Sequence, residues 1–171
     1  MNELIKKELE STFENILVIM PENSRLIVTA QKDQVMSILS FLKNKRFNHL
    51  ALVSCVDWIE EKEFELVYII TSYLHDNDEY GDKNRLHIII KTRISREDPK
   101  VISVIPIFEN AEPYEREIHE LFGLHFEGHP RLTPLFLEGD YEIPPFRKDF
   151  DTREYVKEVF DKIPFVEDKN K

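Results

Sequence analysis

One stretch constrains this chain more than any other: YEREIHELFGLHFEGHPRLTPLFLEGDYEIPPFRKDF, from Tyr114 to Phe150. Its first ten residues read as a charged amphipathic helix closed by Gly123. The rest is punctuated by proline and glycine, has neither a helical nor a strand period, and is rich in aromatic residues. A compact domain seldom carries an irregular segment of about 28 residues unless that segment is functional or disordered. Aromatic side chains argue against disorder, because they need somewhere to be buried. The arm is therefore expected to be a surface that another chain completes.

The remaining composition fits one soluble domain. With 171 residues, 42% hydrophobic and 11% aromatic, the chain can bury a real core, and no run of 18 or more apolar residues suggests a membrane span. The N-terminal MNELIKKELEST has no uninterrupted apolar stretch and is acidic, so neither a signal peptide nor a transit peptide is expected. A cytoplasmic chain of prokaryotic type follows. A net charge of −10 repels phosphate backbones and anionic lipid surfaces. The single cysteine, Cys55, excludes an internal disulfide and a cysteine-only metal or iron–sulfur site. It lies in the apolar run LALVSCV and reads as a small core residue.

Periodicity outlines the elements. Leu4, Ile5, Leu9 and Phe13 predict a helix over 3–14, and Val35, Ile38, Leu39 and Leu42 predict another over 32–44. Between them, strands at Ile16–Met20 and Arg25–Ala30 flank a turn at Pro21–Ser24. Leu50–Ile59 is apolar enough for a central strand buried on both faces. Glu63–Leu74 puts Phe64, Leu66, Tyr68 and Ile70 on one face. Arg85–Ile94 alternates Leu86, Ile88, Ile90 and Thr92 inward with Arg85, His87, Lys91 and Arg93 outward. The polar loop His75–Asn84 intervenes, a short strand at Val101–Ile105 stops at Pro106, and Val166–Lys171 reads as a frayed tail. This order predicts an α+β fold: a mixed, largely antiparallel sheet packed by helices, with an extended irregular C-terminal arm. Residues 1–122 would form the α+β domain and 123–171 the arm and tail of the same structural unit.

In the charged helix, Asn110 is the expected cap, Pro113 suits the first turn and Gly123 the left-handed end. Tyr114, Ile118, Leu121 and Phe122 share a docking face, and Arg116 lies four residues from both Glu112 and Glu120. Either that charged face is solvated, or Glu115, Arg116 and Glu117 bond fixed groups of the arm or a partner. His119-Glu120 does not make a zinc-protease helix, since the next histidine, His125, falls six residues on and beyond Gly123. His125 and His129 are separated by Gly128, so a histidine before proline is expected to order a turn. Glycine-rich nucleotide loops and a nucleophile elbow are absent from the sequence. Arg147-Lys148, stiffened by Pro144-Pro145 and set between aromatics, is a basic point in an acidic chain. It either pairs locally with Asp149 or Asp151, or clamps a partner's carboxylates or helix end. On the clamp reading, Arg147→Ala releases the chain from its complex and leaves its own fold intact.

EREIHELFGLHFEGHP followed by PPFRKDF resembles the family of C subunits of NADH–quinone oxidoreductases, respiratory complex I. Its relatives occur in membrane-bound [NiFe] hydrogenases, sulfane reductases and ferredoxin-linked complexes. Val56-Asp57-Trp58 with Phe64–Tyr68, Lys91-Thr92-Arg93, and Ser103 through Phe108 extend the likeness over about residues 50–150. The resemblance implies a non-catalytic subunit without a cofactor of its own, in the peripheral arm of a membrane-associated, ion-translocating complex. It would sit on the cytoplasmic side, clasping the large catalytic subunit and an iron–sulfur subunit. Iron–sulfur clusters, and a NiFe centre in the hydrogenase-type case, would belong to those partners.

The partner-contact residues implied are Glu115, Arg116, Glu117, Phe122 and Gly123 of the helix, and Phe126, His129 and Pro130 of the turn. Pro145, Arg147, Lys148, Asp149 and Phe150 of the closing element complete the set. Glu120 stands where the family usually shows Asp. Pro113, His119 and Thr133-Pro134 depart from it further, which favours a hydrogenase-, sulfane-reductase- or ferredoxin-linked complex over an NADH–quinone one. Two other classes remain open: a small metal-dependent hydrolase using His119, His125 and His129, and a free-standing acidic docking module for a basic redox carrier.

Overall fold

The computed structural model describes residues 2–72, 86–137 and 142–159. The expected loop His75–Asn84 and the tail Val166–Lys171 lie outside the described residues. Helices α1 (Asn2–Thr12), α2 (Val35–Asn44), α3 (Glu112–Phe122) and α4 (Thr152–Val159) accompany strands β1 (Leu17–Glu22), β2 (Arg25–Thr29), β3 (His49–Trp58), β4 (Glu63–Thr71) and β5 (His87–Ser95). Two short strands, β6 (Lys100–Ile102) and β7 (His125–Glu127), flank α3 in the chain.

The five long strands form one sheet in the order β1-β2-β5-β4-β3, and β6 and β7 form a two-stranded parallel sheet. Three of the four pairings in the large sheet are antiparallel. The fourth, β2 with β5, is parallel, because the chain passes through α2, β3 and β4 before returning beside β2. The α+β architecture predicted from periodicity is the one observed. Phe64, Leu66, Tyr68 and Ile70 all face inward at 0% exposure, opposite Val28, Ile88 and Ile90 on the same side of the sheet. Ile5 and Leu9 of α1, the four buried residues of α2 (Val35, Ile38, Leu39 and Leu42) and Ile118 of α3 close that core. Each large side chain so enclosed contributes about 1.5–3 kcal/mol. Cys55 is among them, and burial, reinforced by the charge of Asp57, pushes its thiol up to about 12.

Several boundaries and placements differ from the sequence expectation. β3 is an edge strand and not a central one; its apolar run is explained by exposed Leu52 and Val56 as well as by buried Leu50, Val53 and Cys55. β1 extends through Pro21, which an edge strand tolerates where the pairing with β2 shifts register between Ile19 and Glu22. Leu4 of α1 points to solvent. β6 ends at Ile102, four residues short of Pro106.

Candidate functional site

Helix α3 and the arm that follows it meet the open end of the sheet beside β3. A short 3-10 turn, Glu109–Ala111, leads into α3, so Asn110 is not the cap. Its side chain instead donates to Leu50 O at 2.8 Å, and Tyr114 Oη donates to Ala51 O at 3.1 Å. Both carbonyls lie where β3 shifts register against β4, between Leu50 and Leu52, and so fall out of the regular ladder. Ile118 and Leu121 are buried, Tyr114 and Phe122 half-buried. Pro113 occupies the first turn and Gly123 closes the helix at φ +78°, its N–H bonded to His119 O at 2.8 Å.

The charged face of α3 is a clamp on its own chain. Glu115 is fully buried, and its Oε1 accepts the Val104 N–H at 2.7 Å. Burial pushes its carboxyl up to about 7, against the opposing pull of the Ser103 hydroxyl and the Val104 N–H. Arg116 reaches Glu112 at 3.3 Å as the spacing suggested, but its pairing with Glu120 is replaced by bonds to the arm: Thr133 O at 2.9 Å and Pro134 O at 2.8 Å. Glu120 instead accepts three successive backbone N–H groups, those of Leu135 (3.2 Å), Phe136 (3.1 Å) and Leu137 (2.5 Å). One carboxylate thus folds the arm at 135–137 into a fixed turn. Glu117 is half-buried.

The closing element is anchored as firmly. Phe146 N and Arg147 Nε donate to Leu121 O (2.9 Å) and Phe122 O (2.7 Å), the orphan carbonyls at the end of α3. A guanidinium there also complements the negative end of the helix. Arg147 lies 5.2 Å over the ring of buried Phe64, so its side chain also packs within this chain. At Gly123 an added Cβ would come 2.9 Å from Arg147 Nη2 and 2.9 Å from Pro144 Cγ, so this position needs glycine for its neighbours as well as for its φ.

Beside it, Asp57 at the inward end of β3 is 3% exposed and pairs with Arg96 Nε at 3.0 Å. Its Oδ2 also accepts the Lys148 N–H at 2.9 Å, ninety-one residues away in sequence, while Arg96 reaches Asp149 at 2.7 Å. Lys148 Nζ stands 6.0 Å from the Trp58 ring. Phe64, Phe122 and Phe146 follow one another edge to face at 6.2 and 5.9 Å, from the core to solvent.

The histidines are tied to backbone. His119 Nδ1 donates to Leu124 O at 2.7 Å; His129 accepts the Arg131 N–H on Nδ1 at 3.0 Å, which leaves Nε2 to donate to Glu112 O at 3.3 Å. His125 is exposed, its ring 6.5 Å from that of His119. Among the described residues no group of three or more His, Cys, Asp or Glu side chains could hold a metal ion.

Of the residues singled out from sequence, Glu115 and Phe126 are buried in this chain's own core, Phe126 in β7 against β6. Arg116, Gly123, Arg147 and Asp149 bind within the chain, while Pro130, Lys148 and Asp149 are exposed and Phe122, His129, Pro145 and Phe150 half-buried. Sequence reading missed Asp57, Arg96 and Glu120 as the anchors. The available signal was Asp57 itself, a carboxylate at the inward register of an apolar strand, which requires a cation. It also missed Phe136 and Phe146, exposed by 66% and 59% on the two best-anchored parts of the arm.

The family described as respiratory-chain NADH dehydrogenase, 30 Kd subunit, matches residues 28–156, which include all of these anchors. The chain belongs to that family. Among its relatives, the F(420)H(2) dehydrogenase C subunit of Methanosarcina mazei is 36% identical over 129 residues, 74% of this chain and 76% of the relative. The NADH-quinone oxidoreductase C subunit of Trichlorobacter lovleyi is 32% identical over 148 residues, 84% and 86% of the two chains. A chain in the structure of the membrane-bound sulfane sulfur reductase, an archaeal respiratory membrane complex, superposes with a TM-score of 0.81. It is 31% identical, and the match covers 99% of this chain and 96% of that one. The family likeness read from ERE…FG…HP and PPFRKDF is thereby established.

Proposed function

We propose that this 30 Kd-type subunit is a non-catalytic scaffold in the peripheral arm of a membrane-associated, ion-translocating oxidoreductase. It clasps the large catalytic subunit and an iron–sulfur subunit on the cytoplasmic side, keeping their redox centres within electron-transfer distance. Iron–sulfur clusters, and a NiFe centre in a hydrogenase-type complex, belong to the partners. The observation that carries this reading is the arm: fixed by Glu120, Arg116, Arg147 and Asp57, it nevertheless turns Phe136 and Phe146 into solvent. Large aromatic side chains held exposed on an ordered backbone are what interface anchors look like before their partner arrives. Pro130, Glu117, Lys148 and Phe150 would frame the contact, with Glu115 and Phe126 shaping it from beneath.

Within this class we favour a sulfane-reductase-, hydrogenase- or ferredoxin-linked complex over an NADH–quinone one. The near end-to-end match to the sulfane reductase chain supports that choice. No observation favours the hydrolase, since Nδ1 of His119 and both ring nitrogens of His129 are engaged with backbone. Affinity-tagged subunit purified from its native membranes in mild detergent tests the proposal. A large catalytic subunit and an iron–sulfur subunit should come with it in stoichiometric amount; recovery of the chain alone would refute the scaffold.

A further inference from the structure

The helices α1, α2 and α3 bury their apolar residues on one side of the five-stranded sheet. The opposite side carries an unbroken aliphatic row. Ile19 of β1 stands opposite Ile27 of β2, Ile27 beside Ile89 of β5, Ile89 opposite Ile69 of β4, and Ile69 opposite Leu52 of β3. The three central residues are half-buried, while Ile19 and Leu52 at the two edges are 46% and 39% exposed. A sheet with one face in water ordinarily alternates apolar inward with polar outward. That rule is obeyed one step along the strands, where Lys91 and Arg93 bind Glu65 at 3.3 and 3.0 Å. Arg93 also pairs with Glu63 at 3.6 Å, so these two cations are matched by two carboxylates and the row asks for an uncharged aliphatic surface.

We infer that this open sheet face is a second docking surface, which receives an aliphatic segment of a neighbouring subunit of the same complex. The inference rests on the scaffold reading above but uses a different face from the arm. Three properties select the occupant. Four interstrand spacings give the row a length of about 19 Å, matched by about 13 residues of helix. The whole face, five to ten residues along its strands, covers roughly 300–600 Å², below the roughly 800 Å² that each member of a free-standing complex buries. A contact of that size holds only a partner already captured elsewhere, where local concentration replaces area. A second copy of this chain fails on the same ground and carries the same charge of −10.

Two measurements on the complex and the isolated subunit test it. Thr29 is exposed on this face, beside Leu17 and Lys91, and Cys55 is buried, so Thr29→Cys provides one accessible thiol on the face. Its alkylation should be at least tenfold slower in the purified complex than in the isolated subunit; equal rates would overturn the inference. The double variant Ile19→Glu/Leu52→Glu should fold, since both positions are exposed, and should be recovered in the complex at least tenfold less than wild type. Wild-type recovery of that variant would show the face to be free while leaving the scaffold reading standing. Failure of the wild-type chain itself to bring partners would remove both. A concentration-dependent dimer of the isolated subunit, broken by the double variant, would assign the face to a second copy and refute the inference.

Discussion

Glu115 and Asp57 are two buried carboxylates in one molecule with very different partners. Asp57 has Arg96 at 3.0 Å and the Lys148 N–H at 2.9 Å, so its charge is matched in place. Glu115 has the Val104 N–H at 2.7 Å and no cation among its partners, and its second oxygen is buried without a hydrogen bond. Its carboxyl is raised from 4.5 to about 7, so the folded chain holds a proton that the unfolded chain has released. The stability tied to it is therefore complete below pH 4.5 and is lost as pH rises through 7, on the order of 3 kcal/mol in all. Glu115→Gln keeps the acceptor for Val104 and has no proton to lose. Its urea stability should match wild type near pH 4.5 and exceed it at pH 8, whereas parallel profiles would deny the shift. Asp57→Ala leaves Arg96 with Asp149 alone and the Lys148 N–H unpaired; denaturant unfolding should register a loss of about 1–3 kcal/mol.

At the scale of elements, α3 was legible in the sequence and its purpose was not. Its apolar stripe, Pro113 and Gly123 obey local rules, so periodicity found the helix and its end. The charged face could not be resolved the same way, because i,i+4 spacing offers Glu120 to Arg116 as readily as solvent does. Three N–H groups of 135–137 outcompete that pairing, and nothing local in the sequence records that the arm turns back there. Glu120→Ala should therefore speed amide exchange of Leu135, Phe136 and Leu137 at least tenfold while the sheet amides keep their protection. Arg147→Ala should cost the isolated chain about 1.5–3 kcal/mol in urea unfolding, the worth of a charged hydrogen bond to Phe122 O. β3 was misjudged for a comparable reason: an apolar run looks the same whether a strand is sandwiched in a sheet or left at an edge with Leu52 and Val56 outward.

Over the whole molecule, the sheet and helices form a platform and the arm wraps from the end of α3 to the β3 edge. That path closes only because Asp57 and Lys148 meet across ninety-one residues. The chain is acidic, and among the described residues its arm is anchored at 133–137 and 146–149. On the scaffold proposal, a partner would meet an arm already fixed at 133–137 and 146–149, and binding would be spared the entropy of folding those residues.

The most direct measurement is the amount of large catalytic subunit recovered per tagged chain from native membranes, set side by side for wild type and Phe136→Ala/Phe146→Ala. Both rings are exposed, so the melting temperature of the isolated double variant should stay within a few degrees of wild type. The account predicts stoichiometric recovery with wild type and at least a tenfold fall with the double variant. Undiminished recovery with both rings removed, or wild-type chain emerging from the membranes alone, would contradict it.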